Sequence, residues 1–371
     1  MRILHISNYY FPHIGGIEQT ARDCVNALKE HENKVICFNH EKGSDKDIVD
    51  GVEIIRVACQ AKISSQSIAL GFGRALKNVM NDFKPEAVIF HYPNPFVAHS
   101  LIKFFKRDFK LVLYWHLDII KQKFLKKFFG GQNLKLLRRA DKIIATSPNY
   151  LEHSEYLPRF KEKCAIVPSC VNLTRLQVTE EAKEAAGRIR ELNAGKIILF
   201  AVGRHVPYKG MEYLVRASKY LDERFKIYIG GAGPLTESLK TLAAGDNKIE
   251  FLGKIPDDVL IAHMLACDIY CFPSVTKNEA FGLSLAEAMY FSKPAVTFTI
   301  EGSGVNYVNL NGITGLEVEN GNSEKYAEAI KLLADDPVMR ENMGKAAKIR
   351  VENNFLYGAF AEKIKQEIQS L

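Results

Sequence analysis

The chain has 371 residues, of which 47% are apolar, 25% charged and 10% aromatic, a balance that excludes a disordered or collagen-like polypeptide and exceeds one small module. Its net charge of +7 is unevenly spread, since residues 1–175 carry +10, residues 176–371 carry −3, and 103–139 alone carry +9. No apolar run reaches the roughly 18 residues that a membrane-spanning helix needs.

In chain order, Val/Ile/Leu-rich runs predict strands at 2–7, 34–38, 52–57, 87–90, 111–115, 142–145 and 164–167. Helix-length segments such as 16–29, 68–81 and 121–138 lie between them. Continuous apolar strands separated by helices imply a parallel sheet covered on both faces, because parallel pairing needs crossover connections. The rhythm breaks over 168–177, and a polar helix is expected at 179–192. A second series follows, with strands at 197–202, 226–229, 249–252, 269–271 and 295–298. The expected fold class is therefore α/β with two doubly wound domains, 1–175 and 176–353, and a helical tail over 354–371 that can pack back on the first.

Open parallel sheets bind ligands at the carboxyl ends of their strands, so strand-to-helix junctions carry the functional signal. The first junction holds Gly15-Gly16 just before a helix, either a tight turn or a close backbone approach to an anion. The first junction of the second series reads Gly203-Arg204-His205-Val206-Pro207-Tyr208-Lys209-Gly210. Arg204 and Lys209 there can neutralise a diphosphate or form a solvated basic loop; the P-loop spacing is absent. Gly230-Gly231-Ala232-Gly233 ends in Thr236 where a dinucleotide fingerprint needs its third glycine, so a close strand–helix turn is expected instead. The richest junction brackets a helix start near Gly282 with Glu279 and Glu287. Glu287 can accept two hydrogen bonds from a vicinal diol such as a ribose, and Glu279 can orient sugar hydroxyls. The amides of Gly282, Leu283 and Ser284 are free for phosphate oxygens; alternatively, both carboxylates simply complement the helix dipole.

Together, the Glu279/Glu287 pair, the Phe281-Gly282 step, the Arg204/Lys209 loop and the Gly15-Gly16 loop resemble retaining glycosyltransferases of family 4, in the GT-B group. The resemblance covers essentially the whole chain and implies two Rossmann-like domains facing across a cleft. It implies a nucleoside-diphosphate sugar, UDP- or GDP-linked, on the C-terminal domain and the acceptor on the N-terminal one. Arg204 and Lys209 would bind the diphosphate, Glu287 the ribose and Glu279 the transferred sugar, with Gly15, Gly16, Gly203, Phe281, Gly282, Leu283 and Ser284 lining the substrate. His116, in Trp115-His116-Leu117-Asp118, matches the position where the family has a histidine facing the donor sugar; it would help stabilise positive charge at the anomeric centre. Tyr307 stands where many relatives carry a glutamate, so no carboxylate role passes to it. The Gly302-Ser303-Gly304 form is similar to bacterial O-antigen and exopolysaccharide mannosyl- or rhamnosyltransferases.

The remaining features set the expected partners. Asp45-Lys46-Asp47 spells a metal-binding triplet but falls in a polar stretch, 41–50, so it is read as solvated charge and no metal cofactor is expected. Seven scattered cysteines without a Cys-x-x-Cys pair suit a reducing cytoplasm. The opening residues lack an apolar leader, and none is expected. Cations and aromatics mixed through 121–139 read either as a helix with a solvated basic face or as part of a peripheral contact with anionic membrane through 103–139, which a glycan or polyprenyl-diphosphate-linked acceptor would use. No nucleic-acid motif accompanies them. A non-catalytic sugar-nucleotide-binding subunit and a GT-B epimerase are the competing functions.

Overall fold

A computed structural model describes residues 1–13, 15–41, 43–63, 66–118 and 123–371; of residues 62, 63, 66 and 123–128 it describes the backbone alone. The chain divides into two compact units, Met1–Ser169 with Gly358–Leu371, and Cys170–Tyr357. The division falls inside the 168–177 break. The final helix, Tyr357–Gln369, buries Phe360, Ile364 and Ile368, and its Glu367 pairs with Lys142 of the first unit at 2.7 Å.

The sheet of the first unit runs, in spatial order, Cys164–Ile166, Lys142–Ala145, Lys110–Trp115, Ala87–Tyr92, Arg2–Ile6, Glu32–Phe38, Val52–Val57 and Asp45–Val49. All neighbours are parallel except the last pair. The central strands are buried along nearly their whole length, as apolar runs covered on both faces must be. At the edge the structure departs from the expected polar loop over 41–50. Asp50 and Gly51 take positive φ (51° and 81°) and turn the chain into a hairpin. Asp-Gly is a favoured pair for such a turn, and the charges of the outer strand suit an unpaired sheet edge.

The sheet of the second unit runs Ile249–Gly253, Phe225–Gly230, Ile197–Val202, Ile269–Phe272, Ala295–Phe298 and Gly315–Val318, all parallel. In chain order this is 3-2-1-4-5-6, the dinucleotide-type order, whose switch point lies between Ile197–Val202 and Ile269–Phe272. The loops leaving those two strands are the Arg204/Lys209 loop and the Glu279–Gly282 loop.

Helix composition sets two opposite glycine effects. Gly187 lies exposed inside the helix Glu180–Leu192 with open space around it, whereas a Cβ on Gly344 would stand 2.2 Å from the Ser292 carbonyl oxygen. Gly187→Ala should therefore raise stability by about 0.5–1 kcal/mol, and Gly344→Ala should lower it by about 1–3 kcal/mol, both readable in denaturant titrations.

Candidate functional site

Two loops meet at the switch point of the second unit because the backbone stitches them. The Val275 amide donates to the Tyr208 carbonyl at 3.0 Å. Gly210 has φ +59° and lies so close to Pro273 that a Cβ would stand 2.1 Å from its carbonyl oxygen. Gly231 and Gly233 allow a similar approach to Gly203 and His205, so the Gly230–Gly233 run serves packing between turns, as its spacing implied.

The stitching brings Lys209 beside Glu279, with Nζ 2.5 Å from Oε2 and both side chains mostly covered. Burial works against the ammonium charge, but the Glu279 carboxylate outweighs it and holds the Lys209 pKa above the ordinary lysine range. The ammonium also lies 5.1 Å from the centre of the Phe272 ring, and that ring borders Gly282. Ser274 donates to the same Glu279 oxygen at 3.2 Å, and Ser303 donates to the Glu279 carbonyl at 2.5 Å. A Cβ on Gly304 would stand 2.0 Å from the Ala280 carbonyl, so Ser303-Gly304 clamps this loop in place. Arg204 is exposed, and its Nη2 donates to the Tyr208 hydroxyl at 3.2 Å.

Gly282, at φ +92°, caps the helix Leu283–Tyr290, and the Leu285 and Ala286 amides both return to its carbonyl. The amides that precede them point out of the helix start, where its dipole favours an anion. One turn in, Glu287 is buried and accepts from Arg175 through Oε1, while Arg175 reaches Asp257 at 2.7 Å. Desolvation pushes the Glu287 pKa up and Arg175 pulls it back. Lys209 acts on the same carboxylate, so the two acid–base pairs form one electrostatic group.

The structure thus gathers Gly203, Arg204, Lys209, Glu279, Gly282, Leu283, Ser284 and Glu287 at one end of one sheet. Phe281 differs from expectation: its ring is 4% exposed and packs edge-to-face on Phe355, which leaves only its backbone for a ligand. Tyr307 also packs against Phe355. Arg175, Asp257, Ser274 and Ser303 are members that sequence reasoning missed. Only Arg175 carried a signal, as a cation within the 168–177 break.

On the first unit, Gly15 precedes the helix Gly16–Ala27, and the Glu18 carboxylate occupies the space a Cβ would need, 2.2 Å from its position. His116 follows the strand Lys110–Trp115, is 4% exposed, and has its pKa pushed down by burial to about 3. It is a neutral ring, so its part in the expected charge stabilisation is that of a neutral hydrogen-bonding group, without an imidazolium. Its neighbour Asp118 accepts from Trp115 Nε1 (2.8 Å), Ser154 Oγ (3.0 Å) and the Glu155 amide (3.0 Å), which organises the loop. The triplet Asp45-Lys46-Asp47 lies on the exposed edge strand, where Asp47 pairs with Arg56 at 3.3 Å. Of the basic stretch, residues 119–122 and the side chains of 123–128 lie outside the described residues. Lys103, Lys106, Arg107, Lys135 and Arg138 are exposed, while Arg139 is tied to Asp141 and the Phe109 carbonyl. Among the described residues, no helix is long and apolar enough to cross a membrane.

Comparison with known proteins finds glycosyltransferase families over both halves of the chain. The family description "Glycosyltransferase Family 4" matches residues 14–175, and "Glycosyl transferases group 1" matches residues 182–350. The chain is similar to D-rhamnosyltransferase WbpZ of Pseudomonas aeruginosa, at 31% identity over 96% of this chain and 92% of that protein. It is 27% identical to O-antigen chain mannosyltransferase C of Escherichia coli, over 96% and 94% of the two chains. Among solved structures, sucrose-phosphate synthase from Thermosynechococcus elongatus superposes with a TM-score of 0.82 at 21% identity, covering 100% of this chain and 98% of that one. Anabaena HepE in complex with UDP superposes with a TM-score of 0.78 at 19% identity, covering 100% of both. These two likenesses show the fold.

The Arg175–Glu287 pair has a pH signature. Glu287 is a carboxyl whose pKa is raised by burial, so its charged form weakens the fold as pH rises past the ordinary glutamate range, and Arg175 limits that loss. Arg175→Ala should cost about 1–3 kcal/mol at neutral pH, the partly exposed guanidinium reducing the effect of a fully buried pair. The gap between variant and parent in denaturant titrations should narrow below the ordinary glutamate pKa, where Glu287 is neutral in both states, leaving what the Arg175–Asp257 pair contributes.

Proposed function

The chain belongs to the family 4, group 1 glycosyltransferases of GT-B fold, and on that premise we propose that its second unit takes the donor diphosphate between Arg204, Lys209 and the amides of Gly282, Leu283 and Ser284. It is an enzyme that moves a sugar from a nucleoside-diphosphate sugar to an acceptor, related to bacterial O-antigen glycosyltransferases. The finer reading is transfer of a hexose, with retention, to a glycan or a polyprenyl-diphosphate-linked glycan at the cytoplasmic side of a membrane. The named relatives, a D-rhamnosyltransferase and a mannosyltransferase, support a mannose- or rhamnose-type sugar.

The observation that carries the donor assignment is the stitched pair of loops at the switch point, with Lys209 and Glu279 2.5 Å apart. The bond that breaks joins the anomeric carbon to a diphosphate oxygen, so negative charge accumulates on the leaving group. Lys209 stays charged there, and Arg204, exposed on a short loop, can turn both guanidinium nitrogens onto phosphate oxygens. An arriving diphosphate competes with Glu279 for the ammonium, which releases that carboxylate to hydroxyls of the sugar. Glu287, whose charged form Arg175 supports against burial, accepts from the ribose diol. His116 contributes as a neutral ring to contacts with the transferred sugar.

Nucleotide release from a panel of UDP- and GDP-sugars, with and without lipid-linked acceptor, tests this reading. Arg204→Ala and Lys209→Ala should each lower kcat about a hundredfold to a thousandfold, an effect of about 2.7–4 kcal/mol on charge stabilisation. Unchanged turnover in both variants would place the diphosphate elsewhere.

The exposed cations Lys103, Lys106 and Arg107 support a peripheral contact with anionic lipid. Sedimentation with vesicles containing phosphatidylglycerol should carry down the protein at low salt and release it at high salt. Replacing these three residues by glutamate should abolish the binding; unaltered sedimentation would sink the membrane reading.

A further inference from the structure

A file of three imidazoles runs through the sheet of the first unit. His5 lies on Arg2–Ile6, His91 on Ala87–Tyr92, and His116 just beyond Lys110–Trp115. His5 and His91 are fully buried. Burial lowers the pKa of His5 to about 4 and that of His91 well below its usual value, and His116 is lowered likewise. At neutral pH each ring therefore carries one N–H and one lone pair, and the hydrogen-bond network assigns which nitrogen is which.

Asn33 sets the first ring. Its Nδ2 donates to the carbonyls of Leu28 (2.7 Å) and His31 (2.9 Å), so the atom 3.0 Å from His5 Nε2 is the amide oxygen. An amide oxygen only accepts; His5 is protonated on Nε2, and its Nδ1 is a buried lone pair without a hydrogen-bond partner. His91 has Nδ1 3.2 Å from His116 Nε2, while its own Nε2 is buried without a hydrogen-bond partner. A ring nitrogen of His5, a ring nitrogen of His91 and Cys24 Sγ lie within 4.8 Å of one another. The buried Cys24 thiol keeps its proton, because burial pushes its pKa far up.

Two assignments of the His91 proton compete. On Nε2 it would be an N–H sealed from water with no acceptor at bonding distance, which costs about 1–3 kcal/mol. On Nδ1 it donates to His116, and the orphan left on Nε2 is a lone pair, in a cluster that also holds the protonated Cys24 thiol. Orphaned buried N–H groups are rarer than orphaned acceptors, which favours the second arrangement. His116 Nε2 is then the acceptor, and its proton resides on Nδ1. Tyr114 holds the ring from one face, stacked at 4.4 Å and 4°.

We infer that His91 is a positioning residue that fixes His116 as its Nδ1–H tautomer, so that the His116 nitrogen not held by His91 is a neutral hydrogen-bond donor. The consequence for transfer rests on the reading of His116 given above, but the tautomer itself does not. A protein held to this tautomer offers a hydroxyl oxygen of the sugar a donor without adding a charge next to a carbon that becomes electron-poor.

Nitrogen-15 spectra of the histidine-labelled full chain read the tautomer directly, with the His116 signals identified by their loss in His116→Gln. The expected result is a neutral His116 protonated on Nδ1 at neutral pH; protonation on Nε2 overturns the inference without any variant having to fold. His91→Asn, whose amide N–H takes the place of the Nδ1 donor, should keep both the tautomer and kcat. His91→Phe should release the tautomer and lower kcat about tenfold to a hundredfold with KM little changed. Equal turnover in the Phe and Asn variants overturns the positioning role. Should the spectra hold while His116→Gln transfers sugar normally, the tautomer assignment stands and the sugar-contacting role of His116 is the reading that fails.

Discussion

A lysine and a glutamate held 2.5 Å apart at the end of a buried strand pair constrain everything around them. Neither Lys209 nor Glu279 can leave water alone, because an isolated buried charge is far too costly. Their pairing holds the Lys209 ammonium in its charged form in a place shielded from solvent, and Ser274 adds a further hydrogen bond to the Glu279 side chain. The geometry that makes this possible is covalent and steric: Gly210 approaches the Pro273 carbonyl so closely that no side chain fits. The site is therefore a property of how two loops pack, and its charges are in position before any ligand arrives.

That dependence explains which features were legible in the sequence. The strands could be read because covered parallel strands are continuous apolar runs, and Ile197–Val202 and Ile269–Phe272 appear as such. Arg204, Lys209, Glu279 and Glu287 could be found because each lies within one junction, close in sequence to a glycine that marks a turn. Arg175 and Asp257 could not, since Arg175 reaches Glu287 from 112 positions away and Asp257 joins it through Arg175, 82 positions away, and no local spacing announces such a partner. The hairpin at Asp50-Gly51 was available as a turn signal, but the charges of Asp45–Val49 obscured the strand beside it. Phe281 was read as a ligand contact from its place in a motif; its apolar ring is better satisfied against Phe355. A motif fixes where a residue stands along the chain, and packing decides where its side chain goes.

The two units solve the problem of buried polarity in opposite ways. The second keeps charges and pairs them, as Lys209 with Glu279 and Arg175 with Glu287. The first keeps its imidazoles neutral, with burial lowering His5, His91 and His116 together. The contrast follows from the chemistry available to each side chain. The Lys209 ammonium beside a fixed counter-charge gains more than it loses by staying ionised, and at Glu287 the Arg175 guanidinium offsets part of the desolvation that raises the carboxyl pKa. An imidazole packed among other imidazoles and Tyr114 has no counter-charge among the described residues, and burial strips its proton.

With the donor diphosphate and the sugar placed as proposed above, this division suits a reaction in which charge of both signs develops at once. The leaving diphosphate gains negative charge, and cations placed for it lower the barrier only if they are still charged when it forms. The anomeric carbon becomes electron-poor, and an imidazolium nearby would raise the energy of that state. A neutral donor that grips a hydroxyl orients the sugar without that penalty, because its dipole is weak at the distance of the ring carbon. The same burial that would ruin a lone lysine is thus what keeps His116 uncharged. In physical terms, the deciding variable at both places is whether a partner of opposite charge is fixed within hydrogen-bond reach.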